Sequence, residues 1–281
     1  MNVLISTDQL AEQLAAPDLR IFDCTVYLRQ SEDGPFRIES GRAAFDEAHI
    51  PNSSFIDQVD ELSDLDSALR FTALDAERLA AAFAARGIGS DTSVVLYDRA
   101  FNMWATRAWW LLRSIGVDNA AVLDGGWKAW TTDGRRQSTE PESTHAPTNL
   151  TADPRPGTLV GRAEVEAATG DDGVCLVNAL SPQVHDGTDA GYGRPGHIPS
   201  SKNVFAVDLV DPETHRYRPL DDLKSMFDNA GVAGERIVTW CGGGIAATSD
   251  AFTLARLGHE NLGIYDGSLS EWQAAGLPLE V

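Results

Sequence analysis

The stretch Trp240-Cys241-Gly242-Gly243-Gly244-Ile245-Ala246-Ala247 places a thiol beside a backbone that can hold an anion. A thiolate is a ready nucleophile. The three glycines that follow Cys241 let the chain curl and take φ > 0. A curled backbone turns successive N–H groups inward and forms an anion-binding nest. Ile237-Val238-Thr239, just before, reads as a short buried strand. Thr248 to Leu257, just after, reads as a helix stopped by Gly258. Cys241 is thus expected at the carboxyl end of a strand, on a glycine-rich turn, where a helix begins. The helix N-terminus adds unpaired N–H donors and the positive end of its dipole, and a thiol placed there is expected to ionise readily. A lone cysteine is often a buried structural residue, but a core cysteine needs no loop without side chains beside it.

The elements around this stretch occur twice. Leu19-Arg20-Ile21-Phe22-Asp23-Cys24 reads as a strand and matches Val174-Cys175-Leu176-Val177-Asn178. Ala48-His49-Ile50-Pro51-Asn52 matches Gly196-His197-Ile198-Pro199-Ser200. The helix from Asp75 to Arg86, stopped by Gly87, matches Leu220 to Ala230, stopped by Gly231. The strand ending at Tyr97-Asp98 matches the one ending at Trp240-Cys241, and Val122-Leu123-Asp124-Gly125-Gly126 matches Ile264-Tyr265-Asp266-Gly267-Ser268. The repeat is about 130 residues long, too long for a solenoid. Strands alternating with helices predict a parallel α/β sheet in each half. Ser6 reads as the cap of a first helix, and the segment from Cys24 to Gly41 as polar and Gly/Pro-containing. Thr131 to Gly157 holds Pro141, Pro147, Pro154 and Pro156 without apolar periodicity and reads as an extended linker. The expected organisation is an N-terminal domain over 1–135, a linker over 136–157 and a C-terminal domain over 158–281. Cys241 in the second copy stands where the first has Asp98, so only the second can do thiol chemistry, and a pocket between the halves is the expected site.

Composition narrows the partners. Hydrophobic residues make up 43% and charged residues 23%, as in soluble globular proteins. A net charge of −20 argues against nucleic acid and against anionic membrane surfaces. An anionic substrate would then need locally positive potential in the site. The N-terminal residues show no signal-peptide pattern and no membrane span. Three cysteines without paired spacing suggest no disulfide framework, so a reducing, cytoplasmic location is expected.

The duplicated His-Ile-Pro, the strand ending in Cys on a glycine-rich loop, and the following Tyr-Asp-Gly-Ser…Trp resemble the tandem rhodanese family of sulfurtransferases, from about Val3 to about Leu277. The resemblance implies two rhodanese domains, each a parallel sheet flanked by helices, with no catalytic cysteine in the N-terminal copy. It implies that Cys241 accepts a sulfane sulfur as a persulfide from thiosulfate or 3-mercaptopyruvate. The persulfide then passes its sulfur to cyanide or to a thiol such as thioredoxin. Gly242, Gly243, Gly244, Ile245, Ala246 and Ala247 would cradle it through backbone N–H groups. No cofactor and no metal is implied.

Two departures bear on the donor. The mercaptopyruvate branch resembles Cys-Gly-Ser-Gly-Val-Thr-Ala and the thiosulfate branch Cys-Arg-Lys-Gly-Val-Thr-Ala, whereas Gly243 here supplies neither hydroxyl nor charge. Val184 stands where the family places a substrate arginine. Arg194, with Arg99 as a second candidate, is then the expected anion ligand. His49 and Trp104 are candidates to line the site from the first half. The duplicate His197 offers His49 a turn role instead, and Trp104 stands beside Trp109 and Trp110 on a helix that reads as core. Thiosulfate is the expected donor, since it needs no proton donor for a leaving enolate. The competing readings are a rhodanese-like binding module with weak activity, and a cysteine phosphatase, which would want arginine where Ala247 stands.

Overall fold

A computed structural model describes residues 3–31 and 34–281. The chain divides into two compact units. The first comprises residues up to Leu65, Ala73–Arg155 and Asp211–Tyr217, and the second comprises Asp66–Thr72, Pro156–Val210 and Arg218–Val281. Each unit therefore includes one short segment from the other half of the sequence.

The first unit contains β1 (Leu4–Ile5), β2 (Leu19–Asp23), β3 (Val26–Ser31), β4 (Gly34–Ser40), β5 (Ser53–Phe55), β6 (Ser93–Tyr97) and β7 (Ala120–Leu123). Its helices are α1 (Thr7–Gln13), α2 (Arg42–Glu47), α3 (Ala76–Ala85), α4 (Met103–Ser114) and α5 (Gly126–Thr132). The second contains β8 (Leu159–Val160), β9 (Val174–Asn178), β10 (Lys202–Asn203), β11 (Arg236–Trp240) and β12 (Leu262–Tyr265). Its helices are α6 (Arg162–Ala168), α7 (Pro182–His185), α8 (Leu220–Asn229), α9 (Ala247–Arg256) and α10 (Ser268–Ala274). The two five-stranded sheets run β1-β7-β6-β2-β5 and β8-β12-β11-β9-β10, every pairing parallel. The duplicated sequence thus gives the same α/β topology twice.

The local reasons are visible in the side chains. Val94 to Tyr97 and Ile237 to Trp240 are buried along their length, as strands covered on both faces must be. Ser6 caps α1 and forms a capping box with Gln9, and Asp75 caps α3 by accepting the Arg78 N–H at 2.8 Å. Every residue of α9 from Ala247 to Leu254 is buried. Phe252 alone, fully buried, contributes roughly 1.5–3 kcal/mol. Trp130 and Trp272, matched in the repeat, are both fully buried.

Two readings of the sequence change. The Cys24–Gly41 segment contains an antiparallel hairpin, β3–β4, with no counterpart among the described residues of the second unit. Its alternation is too short and too polar to stand out from a loop. The stretch after α5 carries no named helix or strand before β8 and is strapped down. His49 and Ser138 bridge through their backbones, Ser143 N–H bonds Ser53 C=O at 3.1 Å, Thr148 N–H bonds Ala84 C=O at 2.9 Å and Arg155 N–H bonds Ser114 C=O at 2.9 Å. Those bonds place it in the first unit as far as Arg155.

Candidate active site

β11 is the central strand of its sheet, and Cys241 follows it directly. The thiol residue is buried, at 2% exposure. α10 holds the loop from one side. The Cys241 and Gly244 N–H groups both donate to Ser268 Oγ, each at 3.1 Å, and that hydroxyl donates to Tyr265 C=O at 2.7 Å. Leu269 N–H donates to Cys241 C=O at 2.9 Å, and Ser270 donates to Gly242 C=O through its N–H (3.1 Å) and its hydroxyl (2.6 Å). Ser268 itself has φ +51° and is fully buried.

With those bonds made, the N–H groups of Gly242, Gly243, Ile245, Ala246 and Ala247 have no partner among the described residues. They lie where the loop enters α9, so unpaired donors and the positive end of a helix dipole coincide. Other cysteines have no such setting. Cys24 lies between β2 and β3 and Cys175 on β9, and burial pushes both thiols up from their ordinary pKa.

The three glycines differ in why they are glycine. Gly244 has φ +79°, which an L side chain rarely adopts. A Cβ on Gly242 would overlap the ring of Tyr192 and lie 2.7 Å from its hydroxyl. A Cβ on Gly243 would meet only Arg70 C=O and the Phe71 ring, both at an ordinary 3.8 Å. Arg70 and Phe71 belong to the 66–72 segment, a turn closed by Ser67 Oγ and Thr72 Oγ1 at 2.8 Å.

The first unit shows the same loop position with an anion built in. Asp98 follows the central strand β6 and is buried. Its Oδ1 accepts the N–H groups of Ala100 (2.7 Å) and Asn102 (3.0 Å), and its Oδ2 those of Trp104 (2.8 Å) and Ala105 (2.9 Å). Burial still outweighs those donors and pushes the carboxyl up to about 6. Here too a turn from the other half of the sequence caps the loop. Asn102 Nδ2 donates to His215 C=O at 2.7 Å, and His215 stacks on Phe101 at 4.2 Å.

The other sequence candidates have settled surroundings. Arg99 pairs with Asp23, donates to Ala48 C=O and lies 4.3 Å over the Trp127 ring. His49 stacks on Phe45 at 4.1 Å, with Nδ1 2.9 Å from Phe45 C=O. Trp104 is buried at the start of α4, and its carbonyl accepts Gln58 Nε2 at 2.7 Å. Arg99, His49 and Trp104 all belong to the first unit, Arg194 and Cys241 to the second. Arg194 donates through Nη2 to Leu277 C=O at 2.8 Å, and its backbone is clamped by Gln273, N–H to Oε1 at 3.0 Å and C=O from Nε2 at 2.9 Å. Val184 is buried on α7.

Sequence reasoning missed Ser268, Tyr192 and the 66–72 turn. Ser268 had a signal, since it stands where the first copy has Gly126. Tyr192 lay in the segment singled out for Arg194. Nothing in the sequence brings residues 66–72 to Gly243, because that contact exists only once the chain has folded.

Comparison with known proteins supplies an independent line. The model of the rhodanese-like domain matches residues 6–133 and again 164–275. A Pseudomonas aeruginosa protein named "Probable 3-mercaptopyruvate sulfurtransferase" is 32% identical over 276 residues, spanning 96% of this chain and 94% of its own. Thiosulfate/3-mercaptopyruvate sulfurtransferase 2 of Arabidopsis thaliana is 29% identical over 301 residues, spanning 98% and 86%. The crystal structure of SseA from Escherichia coli, a 3-mercaptopyruvate sulfotransferase, superposes with a TM-score of 0.81 at 27% identity, covering 96% of this chain and all of that one. No helix among the described residues is long and apolar enough to cross a membrane.

Proposed function

Because the chain belongs to the rhodanese family in both of its halves, we propose that it is a sulfurtransferase whose Cys241 carries a sulfane sulfur as a persulfide. The thiolate attacks the outer sulfur of a small anionic donor, thiosulfate or 3-mercaptopyruvate. A Cys241 Sγ–S bond forms while the donor's S–S or S–C bond breaks, and the electron pair leaves with sulfite or with the pyruvate enolate. With the mercaptan donor, the proton of the transferred thiol ends on the enolate carbon. The persulfide's outer sulfur is then taken by cyanide or by a thiol such as that of thioredoxin.

One observation carries this reading: the N–H groups of Gly242, Gly243, Ile245, Ala246 and Ala247, in the loop that follows Cys241, have no partner among the described residues. A persulfide anion placed there would be stabilised by the backbone alone. The first unit supports the inference, because the corresponding loop holds the Asp98 carboxylate through four N–H groups. Arg194, in the same unit as Cys241, remains the proposed source of fixed positive charge for the donor.

The test is a mass measurement. After incubation with either donor, the peptide containing Cys241 should gain one sulfur, while those containing Cys24 and Cys175 should not. Cys241→Ser should keep the fold and lose cyanide-dependent thiocyanate formation. Substantial thiocyanate from Cys241→Ser would defeat the assignment.

A further inference from the structure

The loop has no side-chain donor at Gly243, and the segment before His197 carries buried Val184 on α7. That segment nevertheless brings one polar group to the loop. Tyr192 lies against Gly242, closely enough that no side chain fits there, with its hydroxyl 2.7 Å from where a Cβ would stand. The residue is half-buried. Its hydroxyl has no hydrogen-bond partner among the described residues.

The position of Tyr192 is fixed from both sides. On one side, Asp189 Oδ1 accepts the Gly191 N–H at 2.8 Å, and Gly193 N–H closes a turn onto Ala190 C=O at 2.8 Å. On the other, Gln273 clamps both backbone groups of Arg194, whose guanidinium is tied to Leu277 C=O. A turn held at both ends fixes where the Tyr192 backbone stands, and Gly242 bounds its ring on one side. Burial, followed by the nearby Cys241 and Asp189, raises the phenol's pKa, so it stays a neutral donor at any working pH.

Resting on the sulfurtransferase reading, we infer that Tyr192 is the side-chain hydrogen-bond donor of the sulfur-donor site, bonding an oxygen of the group that leaves as sulfur passes to Cys241. An anionic leaving group accumulates charge as the donor's bond to sulfur breaks. A positioned O–H stabilises that charge, as an oxyanion-hole donor does. Such a donor serves sulfite and an enolate alike, so the expectation that thiosulfate is preferred for want of a proton donor loses its premise. Arg194 on this view also holds the turn that carries Tyr192, besides the charge proposed for it above, and Gly242 is glycine to admit the ring.

The two half-reactions of the full chain separate this from a structural role. Loading is read as the rate of one-sulfur mass gain on Cys241 from thiosulfate and from 3-mercaptopyruvate, and unloading as thiocyanate release from the preloaded protein. Tyr192→Phe keeps the ring and should slow loading from at least one donor by about tenfold or more, less than the largest losses of a buried oxyanion donor. Unloading to cyanide should stay near the unsubstituted rate. A second pair checks the packing: Gly242→Ala should be impaired alone and recover loop order when combined with Tyr192→Ala. Unchanged loading in Tyr192→Phe overturns the inference, as does equal slowing of both half-reactions. If the unsubstituted protein loads no sulfur from either donor, the sulfurtransferase reading itself falls, and this inference with it.

Discussion

Ser268→Ala is the sharpest structural test of how the loop is held. The hydroxyl is fully buried, accepts from Cys241 and Gly244 and donates to Tyr265. Its removal strands two N–H groups and one carbonyl. At about 1–3 kcal/mol per stranded buried group, the lower bound already sums to roughly 3 kcal/mol. The lower bound is the better guide, because the loop can relax into the small space left behind. That energy equals about a hundredfold in an equilibrium constant, enough to populate misaimed loop conformers. Ser270→Ala is the matched control, since Gly242 C=O keeps its bond from the Ser270 N–H. An exposed, redundant bond of that kind should cost about 0.5 kcal/mol. Urea unfolding gives the global cost, and hydrogen exchange of the amides from Cys241 to Ala247 gives the local one. Sulfur loading in Ser268→Ala should fall by about tenfold or more. A Ser268→Ala protein within about 0.5 kcal/mol of the parent, with unchanged exchange in the loop, would show that the hydroxyl is not its anchor.

Further expectations concern the glycines and one buried acid. Gly243→Ala should leave sulfur loading near the parent rate, because its Cβ meets only contacts at 3.8 Å, whereas Gly242→Ala should impair it by displacing Tyr192; equal loading rates in the two variants would contradict the assignment. Gly244→Ala, at φ +79°, should cost about 1–2 kcal/mol in thermal or urea unfolding. Asp250 on α9 is fully buried with both carboxylate oxygens unpartnered, and burial raises its pKa well above the ordinary value. A raised folded pKa means stability present below the unfolded pKa near 3.9 and lost as pH rises toward the folded value, at up to about 1.4 kcal/mol per pH unit. Urea unfolding across pH 5–9 should show the parent losing stability relative to Asp250→Asn as pH rises, and parallel profiles would refute it.

Much of the architecture was legible because its signals are local. Val94–Tyr97 and Ile237–Trp240 are apolar runs bounded by turns, Ser6 and Asp75 announce helix starts, and the repeat doubles each clue. The β3–β4 hairpin was not legible, since strands with Arg29, Arg37 and Glu39 carry little alternation. The exchange of residues 66–72 and 211–217 was hidden for another reason: polar turns look alike in sequence wherever they dock. At the site, Cys241 and the loop stood out by composition. The division of labour among Gly242, Gly243 and Gly244 did not, because one answers to Tyr192, one to backbone geometry and one to neither.

The duplication itself bears on the chemistry. Both copies place a loop after the central strand of a five-stranded parallel sheet and direct it into a buried helix. In the first copy, Asp98 returns its carboxylate to its own loop and uses four N–H groups. The position that Ser268 holds in the second copy is Gly126 in the first, where no hydroxyl is available to organise the turn. A carboxylate that satisfies its own nest leaves that nest no donors for an external anion. In the second copy the organising task passes to Ser268, which takes only the N–H groups of Cys241 and Gly244. A persulfide and an aspartate side chain each extend two bonds beyond Cβ and end in negative charge. Asp98 is therefore a built-in counterpart of the species proposed on Cys241, and the backbone solution that holds a fixed anion in one copy would hold a transferable one in the other.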